Sequence, residues 1–532
     1  MEIGRRVRPI LPKNVTGSGI ALCVIGRREN RYAREFIAHY KALGFDKVFL
    51  CDNNRNGEER FDDVLSDYIG EGFVEVLNYR GMPGIQCTAY TDVYRRFGEK
   101  YRWMAFFDFD EYLEIVDGAN VHGHDGRIHR LMRGYEEYDC VFFNWMNYGD
   151  NGLVRDDGRD LSERFTEPLP SIQYVQYKDI PENDHVKCVV RGGIKNLEFY
   201  LCPHLPGAPK LECCNSIGEY CEQKPYHKAD YSVAYLKHYI TKTIEEWVSI
   251  KWQKGAGTNA RIEEFRSRYA GRFFKYNEWT PEKENVFRKL LGMPRFKPVK
   301  KHTVVIVNYN TQRLTECAIR SLNQHTPGCE IKVFDNSDME AFVVGENMSN
   351  VEVIDNTKGA IINFDELIKS YPDRVFETNG SNFGSAKHCK TVDVCLDLFP
   401  EGFLLMDSDV LVKKDVSVFW DGSCAWSGLV NSSPSRWGII VPRVLPFICY
   451  INAPMLKKKG IRYFNGEKMY ALTSREPDKA YDTGAWFYED CERHHLPGRY
   501  LMITDYIEHF DHGSWAGRDA EEWLEEKSSL WE

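Results

Sequence analysis

The chain has 532 residues, which is too long for one ordinary hydrophobic core and indicates two or three domains. Its formal net charge of −10 argues against a general nucleic-acid-binding surface, so we expect no nucleic-acid partner. No apolar run reaches the roughly 18 residues of a membrane span, and the basic first residues lack the apolar core of a signal peptide. We therefore expect a cytoplasmic protein, with peripheral association at the inner face of a membrane left open.

The N-terminal half alternates between apolar strands and amphipathic helices. The run "IALCVIG" has the composition of a buried strand, and apolar residues then recur at helical spacing from Tyr32 to Leu43, with Gly44 where a C-terminal cap is expected. The runs "DKVFLCDNN" and "GFVEVLNY" predict further strands, and "GIQCTAYTDVYRRFG" predicts a helix. This alternation predicts an open, mainly parallel α/β sheet with helices on both faces.

The same pattern begins again near residue 301. There "KHTVVIVNYN" predicts a strand, "TQRLTECAIRSLNQH" a helix, and "CEIKVFDNSD" a strand that ends in acidic and amide side chains. Prolines and basic residues in "MPRFKPVKKH" indicate a linker between the two copies. We predict an N-terminal tail over 1–17, a first domain over 18–295, a linker over 296–301, and a second domain over 302–532 that ends in a helix.

Each half contains a pair of aspartates directly after an apolar strand. In "WMAFFDFDEYLEI" these are Asp108 and Asp110, followed by Glu111, and in "GFLLMDSDVLV" they are Asp407 and Asp409. Ligands of open α/β sheets collect outside the carboxyl ends of the strands, and residues two apart point to one face of a strand. Because buried unpaired carboxylates are costly, each pair predicts a partner, and a divalent cation that shares its shell with substrate phosphates suits such a pair.

The ordered set of motifs resembles two families of glycosyltransferases. The first half is similar to glycosyltransferase family 92 and its bacterial relatives over about residues 18–260, through "RRENRYAREFIAHYKALGFDKVFLCDNN", "GMPGIQCTAYTDVYRRFG", "WMAFFDFDEYLEI", "NWMNYGDNG", "SERF", "HVKCVVRGG" and "LKHYITKTIEEWVSIKWQKG". The second half resembles family 2, over about residues 302–515, through "VVIVNYNTQRLTECAIRSL", "KVFDNSD", "NGSNFGSAKH", "LLMDSDVLV" and "YDTGAWFYED". Both families have the GT-A fold, so the resemblance implies two tandem Rossmann-like domains, each with a nucleotide-sugar donor and a DxD motif.

In the first domain the resemblance assigns a metal site and a donor pocket. Asp108 and Asp110 match the DxD motif, with Asp110 as the more direct metal ligand and Glu111 in support. His238 of "LKHY" is the candidate for the late histidine that completes the metal shell, with a structural histidine as the alternative. The residues implied to bind the donor are Arg27, Asn30, Asp52 and Asp108.

In the second domain the resemblance assigns the same parts. Asp407 and Asp409 take the DxD position, and either His509 or His512 of "EHFDHGSW" takes that of the late histidine. The sequence does not decide between these two histidines. The residues implied to bind the donor are Asn308, Asp335 and Asp407.

An inverting transferase also needs a carboxylate that removes the proton of the acceptor hydroxyl. In the first domain the candidates are Glu163 of "LSERF" and then Asp150 of "NYGDNG". In the second domain they are Asp482 of "YDTG", or Glu489 and Asp490 of "FYEDC". For each of these acids a solvated surface charge is the competing interpretation.

Two weaker sets complete the candidates. The segment 382–388 places Gly384 where backbone approaches a diphosphate and adds Lys387 or His388. Aromatic faces suited to sugar stacking, with a core position as the alternative for each, are offered by Trp145, Tyr148 and Trp437.

These assignments predict a bifunctional, metal-dependent, inverting glycosyltransferase. It would use Mn²⁺ or Mg²⁺ and a nucleotide sugar, foremost a UDP-sugar, and extend a glycan or lipid-linked saccharide during assembly of a surface or capsular polysaccharide. It would be associated peripherally with a membrane or with the assembly machinery.

Two alternatives compete with this prediction. In the first, one half is catalytic and the other binds glycan or serves as a scaffold. In the second, the chain is a phosphatase of the haloacid dehalogenase type, but Tyr112 and Leu411 stand where that class normally has Thr or Val.

Overall fold

The protein divides into two compact units, Met1–Leu291 and Gly292–Glu532. Among the described residues, no helix is both long enough and apolar enough to cross a membrane. The structure, a computed structural model, describes residues 17–116, 126–170, 181–200, 202–254, 273–346, 348–371, 381–431, 441–469, 481–510 and 520–531.

The N-terminal unit is built around one large sheet with the strand order β3-β2-β1-β4-β7-β6-β10-β5. Strands β1 to β4 are mutually parallel where they pair, whereas β7 is antiparallel to β4 and to β6. The strands are β1 Ile20–Gly26, β2 Lys47–Asp52, β3 Val74–Asn78, β4 Trp103–Phe106, β5 Glu111–Ile115, β6 Cys140–Asn147, β7 Val186–Arg191, β8 Cys213–Cys214, β9 Tyr220–Cys221 and β10 Ala234–His238.

The first helix shows how periodicity determines local structure. Helix Asn30–Leu43 buries the apolar positions that recur from Tyr32 to Leu43, and it ends at Gly44, whose φ of 92° lies in the left-handed region. Both the helix and its glycine cap were predicted from spacing, and both are confirmed. The other helices of this unit are Asp62–Gly70, Gln86–Phe97, Arg127–Met132, Leu161–Arg164, Ile244–Glu246, Trp252–Lys254 and Pro281–Leu290, with a π-helix over Trp247–Lys251 and 3-10 turns at Gly98–Lys100, Arg133–Tyr135 and Glu182–Asp184.

The C-terminal unit has a main sheet with the order β13-β12-β11-β14-β19-β16-β20 and two short ladders, β15-β21 and β17-β18. Its strands are β11 Thr303–Asn308, β12 Glu330–Asp335, β13 Val351–Asp355, β14 Phe403–Asp407, β15 Val410–Val412, β16 Trp426–Gly428, β17 Val430–Asn431, β18 Arg443–Val444, β19 Ile448–Ile451, β20 Gly498–Tyr500 and β21 Ile507–His509. Its helices are Gln312–His325, Phe364–Lys369, Ser381–Leu398, Ala453–Lys457, Gly466–Met469, Ala485–Arg493 and Ala520–Glu526, with 3-10 turns at Ser417–Phe419, Ile503–Asp505 and Ser528–Leu530.

Both units repeat one arrangement of strands. The first four strands of each run in the order third-second-first-fourth and are parallel, and the fourth is followed in the sheet by an antiparallel neighbour, β7 or β19. The aspartate pairs lie at or just after the end of the fourth strand in each unit, as expected for a site at the carboxyl edge. The predicted fold class, α/β with two tandem sheet-containing domains, is confirmed.

The segment predicted as a linker packs within the C-terminal unit. The Lys297 backbone N–H donates to Oδ1 of Asp421 at 3.2 Å, and its carbonyl accepts from the Gly422 N–H at 2.8 Å. The Val299 N–H donates to the Trp420 carbonyl at 3.4 Å. These hydrogen bonds attach residues 297–299 to that unit, while the predicted domain boundaries themselves stay a prediction.

Candidate functional sites

Asp108 of the N-terminal unit lies directly after β4 and is surrounded by donors. Its Oδ2 accepts from Lys187 Nζ at 2.7 Å, and its Oδ1 accepts from Gln86 Nε2 at 2.7 Å and from the Tyr90 hydroxyl at 3.0 Å. Burial alone would raise the pKa of Asp108, but the charge of the buried Lys187 holds that pKa below its usual value. Glu111 accepts from the Asp108 backbone N–H at 2.8 Å, and burial raises the pKa of Glu111 to about 8.

Asp110 faces a different set of groups. Its Oδ2 lies 2.8 Å from Lys251 Nζ and 3.9 Å from Lys242 Nζ, while its Oδ1 lies 4.0 Å from His238 Nε2. We expected the two aspartates to share one face of a strand, but β4 ends before the motif. Asp108 and Asp110 therefore lie in the turn between β4 and β5 and pair with different lysines.

His238 stands beside Asp110 in a fixed orientation. The Asn147 amide donates to Asn183 Oδ1 at 2.7 Å, so its Oδ1 accepts from His238 Nδ1 at 2.8 Å. The Nε2 lone pair is left facing Asp110. Burial lowers the pKa of His238 to about 3, which keeps the imidazole neutral. The Trp145 ring lies 4.2 Å away, centroid to centroid.

The segment that carries Lys251 is anchored by a buried network. Thr243 and Glu246 form a capping box at the start of a short helix. The Glu246 carboxylate also accepts two hydrogen bonds of 2.9 Å from the buried Arg164 and one of 2.7 Å from the Tyr32 hydroxyl. The π-helix Trp247–Lys251 follows directly, so this network anchors the start of the segment that ends in Lys251.

Asp52 was predicted to contact the donor nucleoside, and both of its carboxylate oxygens accept hydrogen bonds from neighbouring residues. Its Oδ1 accepts from the Asn54 backbone N–H at 2.9 Å and from the Asn54 amide at 2.8 Å. Its Oδ2 pairs with Arg80 at 2.6 Å. The side chain is buried and fixes the loop after β2.

Arg27 and Asn30 lie on the neighbouring loop and helix start. Arg27 forms a two-point pair with Glu58, at 3.1 and 3.0 Å, which lowers the pKa of Glu58 to about 2. The Asn30 amide donates to the Arg60 carbonyl at 2.8 Å. Both therefore connect the loop after β1 to the loop after β2.

The two candidate bases of this unit differ in environment. Glu163 is exposed on the helix Leu161–Arg164, whose last residue faces the interior. Asp150 is buried and pairs with the buried Lys283 at 2.6 Å, and burial raises the pKa of Asp150. Asp150 thus forms a buried ion pair, and Glu163 lies at the surface.

In the C-terminal unit, strand pairing assembles three potential metal ligands. Asp407 ends β14, Asp409 lies in the turn before β15, and His509 ends β21. Val410 pairs with His509 in the antiparallel β15-β21 ladder, which brings His509 Nε2 to 3.4 Å from Asp409 Oδ1. One ligand atom from each of the three residues lies within 4.8 Å of the others, and among the described residues this is the group that fits a metal ion. Phe447 stacks on the His509 ring at 3.7 Å between centroids.

His388 adds a contact to this cluster. It lies on the helix Ser381–Leu398, and its Nε2 is 3.1 Å from Oδ1 of Asp407. The sequence offered His388 only as a phosphate-loop candidate. The structure places it against the first aspartate of the DxD motif.

Asp335 and Asn308, the predicted donor-binding residues, are buried and paired with each other. Asp335 Oδ1 accepts from the Asn308 amide at 2.8 Å and from the Ser337 hydroxyl at 2.6 Å, and its Oδ2 accepts from the Phe342 N–H at 2.6 Å. Asn308 Oδ1 accepts from the Thr311 hydroxyl at 2.7 Å. As with Asp52, these side chains fix the loop at the edge of the sheet.

The candidate bases of the C-terminal unit also differ. Asp482 is 26% exposed, accepts from the Ser385 hydroxyl at 2.7 Å and pairs with Arg443. Asp490 is buried on the helix Ala485–Arg493, with the Arg493 guanidinium 3.3 Å away. Asp482 is therefore the more exposed of these two acids.

The remaining predicted residues occupy core or surface positions, or lie outside the description. Trp145 and Tyr148 are buried, so the core interpretation holds for both. Glu489 accepts from the Tyr481 hydroxyl at 2.6 Å, and Gly384 is exposed. Outside the described residues lie His512 and Trp437.

Sequence reasoning missed the lysines that face the first DxD motif. Lys187 interrupts the apolar strand "HVKCVV", and a lysine inside a buried strand requires an acidic partner, which was a usable signal. Lys251 lies in "TKTIEEWVSIKW", where the spacing of Thr243 and Glu246 is that of a capping box. Which carboxylate each lysine meets depends on contacts that are remote in sequence.

Solved structures similar to this chain include several glycosyltransferases. Galactosyltransferase LgtC in complex with donor and acceptor sugar analogs is 13% identical, with 43% of this chain and 96% of that chain covered and a TM-score of 0.25. TarS of S. aureus is 10% identical, with 52% and 49% covered and a TM-score of 0.21, so this chain spans about half the length of TarS. GlyE of Streptococcus pneumoniae is 15% identical, with 38% and 46% covered and a TM-score of 0.23. These scores are too low to transfer an activity.

The family comparison is more specific. No curated protein matches the chain, and the family 2 resemblance of the second half stays a prediction. Residues 19–270 match the family model of Glycosyltransferase family 92, and this match supports a glycosyltransferase activity.

Proposed function

We propose that the chain is a bifunctional, inverting glycosyltransferase with one donor site at the carboxyl edge of each sheet. The family 92 match supports the activity of the first site. The observation that carries the second is the Asp407–Asp409–His509 cluster, which lies at the same place in the repeated strand order as the first DxD motif.

The donor set of the C-terminal cluster fits a divalent cation. Two carboxylates and an imidazole are ligands that Mn²⁺ and Mg²⁺ accept, and their spacing allows one ion to reach all three. A bound cation would stabilise the negative charge that grows on the leaving diphosphate. The protein's part is to orient the ligands, because Phe447 stacks on His509 and His388 contacts Asp407.

The N-terminal DxD motif does not fit a cation in the same way. Lys187 Nζ lies 2.7 Å from Asp108 Oδ2, and Lys251 Nζ lies 2.8 Å from Asp110 Oδ2. A cation there would have to displace a lysine from each carboxylate. We therefore derive no metal-dependent step for this unit.

Asp482 is the base that the contacts favour in the C-terminal unit. Asp482 accepts a hydrogen bond from Ser385, and Asp407 contacts His388. Ser385 and His388 lie three residues apart on the helix Ser381–Leu398, so both aspartates contact the same face of that helix, about one turn apart. In this position Asp482 would accept the proton of the acceptor hydroxyl as that oxygen bonds to the anomeric carbon. Asp490 is buried, and its ion pair is with Arg493 of its own helix.

For the substrates we propose a UDP-sugar as donor and a glycan or lipid-linked saccharide as acceptor. The setting would be assembly of a surface or capsular polysaccharide on the cytoplasmic side of a membrane. These choices rest on the resemblance to family 92 and its bacterial relatives and to family 2. Sugar identity depends on a few hydroxyl contacts that the residues above do not define.

The test is release of nucleoside diphosphate by the full chain from a panel of UDP-, GDP- and CDP-sugars, with a glycan acceptor present. Asp110→Asn and Asp409→Asn are compared separately, and Asp355→Asn, an exposed carboxylate, is the control. We expect each site variant to lower the rate of transfer from one donor sugar and to leave transfer from the other unchanged. If one variant leaves all transfer intact, that half is a binding or scaffolding module. Release of inorganic phosphate from a phosphomonoester would indicate a phosphatase instead.

A further inference from the structure

Three lysines converge on the first DxD motif. Lys187, which is fully buried, lies 2.7 Å from Asp108 and 3.5 Å from Glu111. Lys251 and Lys242 lie 2.8 and 3.9 Å from Asp110. In the other unit, Asp407 and Asp409 form ion pairs with His388 and His509 instead.

We propose that Lys251 performs, in the N-terminal unit, the task that a divalent cation performs in a DxD site. Its ammonium group bridges Asp110 and the diphosphate of the donor, so this unit binds its nucleotide without metal. The inference rests on the proposed function, because it assumes a nucleoside diphosphate as the leaving group.

The hydrogen bonds of Lys251 leave room for a ligand oxygen. Its Nζ donates to Asp110 Oδ2 at 2.8 Å and to the Ile240 carbonyl at 2.6 Å. An ammonium group has three N–H donors, so one more acceptor can be bound. The side chain is 18% exposed, which makes Lys251 the most exposed of the three lysines.

We infer that the other two lysines, Lys187 and Lys242, contribute positive charge to the site and do not contact the diphosphate. Lys187 is fully buried behind the aspartates, and Lys242 is 3% exposed with its ammonium 4.7 Å from the Tyr32 ring centroid. Together with Lys251 they oppose the charge of Asp108 and Asp110. A divalent cation would meet repulsion from these ammonium groups, whereas a diphosphate would be attracted.

The position of Lys251 is fixed by structure on both sides. The capping box and the Arg164–Glu246 pair hold the start of the segment, and the Ile240 carbonyl holds its end. The π-helix that ends in Lys251 is a form often found at functional sites. A pre-positioned ammonium loses less conformational entropy on binding than a free lysine would.

The test is binding of UDP, GDP, CDP and ADP to the full chain by calorimetry, in an Asp409→Asn background that disables the C-terminal cluster. We expect one nucleotide to bind with equal affinity in EDTA and in Mn²⁺. Lys251→Met should weaken that binding at least tenfold in EDTA, and Lys251→Arg should retain part of it. Lys237→Met is the matched control, since Lys237 is half-buried on β10 and pairs with Glu114 at 3.0 Å.

A second variant keeps the test decisive if Lys251→Met fails to fold. Asp110→Asn should leave metal-free nucleotide binding within tenfold, because the ammonium group remains. If EDTA abolishes binding in the Asp409→Asn background, or if Asp110→Asn abolishes it, the inference is overturned while the proposed function stands. If no nucleotide binds with or without Mn²⁺, the proposed function itself fails.

Discussion

His509 Nε2 lies 3.4 Å from Asp409 Oδ1, although the two residues are far apart in the chain. The antiparallel β15-β21 ladder creates this proximity, because it pairs Val410, next to Asp409, with His509. A two-strand ladder thus completes a three-residue cluster that the main sheet alone would leave as two carboxylates.

Removing His509 should weaken cation binding at the C-terminal cluster. We expect His509→Ala to lower Mn²⁺ affinity about 100-fold, because the cluster loses one of its three ligands. Calorimetric titration of the full chain with Mn²⁺ measures this. His494→Ala, an exposed histidine on the same unit, should bind Mn²⁺ like the wild type. Unchanged affinity in His509→Ala would rule out the cluster as a metal site.

His388 should act on the same cluster through Asp407. Its Nε2 lies 3.1 Å from Asp407 Oδ1, so His388→Ala removes the group that orients this carboxylate. Because outer partners of metal ligands tune affinity by about 10- to 100-fold, we expect a loss in that range. His388→Gln, which keeps an N–H donor, should recover part of it. Equal Mn²⁺ affinity in all three proteins would contradict an orienting role.

Breaking the Arg164–Glu246 pair should destabilise the N-terminal unit. Both side chains are buried and joined by two hydrogen bonds of 2.9 Å, so Arg164→Met leaves an uncompensated carboxylate. We expect a loss of about 3–5 kcal/mol in the free energy of unfolding. Urea unfolding, monitored through hydrogen exchange of peptides from the N-terminal unit, measures this loss.

Two further variants test the physical reason for that loss. Arg159→Met breaks an exposed pair with Asp157 and should change stability much less. Arg164→Met combined with Glu246→Leu should recover part of the lost stability, since no buried charge remains unpaired. If the double variant is no more stable than Arg164→Met, the loss comes from packing rather than from the charge.

Glu35 should give the N-terminal unit a pH dependence. Burial raises the pKa of Glu35 to about 7, although the Leu161 N–H donates to the carboxyl at 2.9 Å. The folded state therefore keeps the proton up to about pH 7, whereas the unfolded chain releases it near 4.5. Between these values unfolding releases a proton, so stability falls as pH rises, by at most about 1.4 kcal/mol per pH unit.

Glu35→Gln should remove this contribution. The variant should gain stability relative to the wild type as pH rises from 5 to about 7, as measured by urea unfolding at several pH values. Glu137→Gln, which changes an exposed carboxylate, is the control. A stability difference between Glu35→Gln and wild type that is constant with pH would contradict the raised pKa.

The sequence predicted the elements and the acidic edges of both sheets. Helix Asn30–Leu43 and the strands before Asp108 and Asp407 followed from periodicity and burial, which are properties of neighbouring residues. The repeated alternation of these elements predicted two units of one plan, and the strand order within each sheet came from the structure. The sequence could also place each aspartate pair at the end of an apolar strand, because that position depends only on neighbouring residues.

Tertiary structure alone decided which groups those aspartates meet. The ladder between β15 and β21 selects His509 as the cluster histidine, and the packing of β7 brings Lys187 to Asp108. Asp335 and Asp52 hold loops through partners on other segments. The physical reason is that periodicity is local, whereas the charge and ligand set of a site depend on side chains joined by long-range strand pairing.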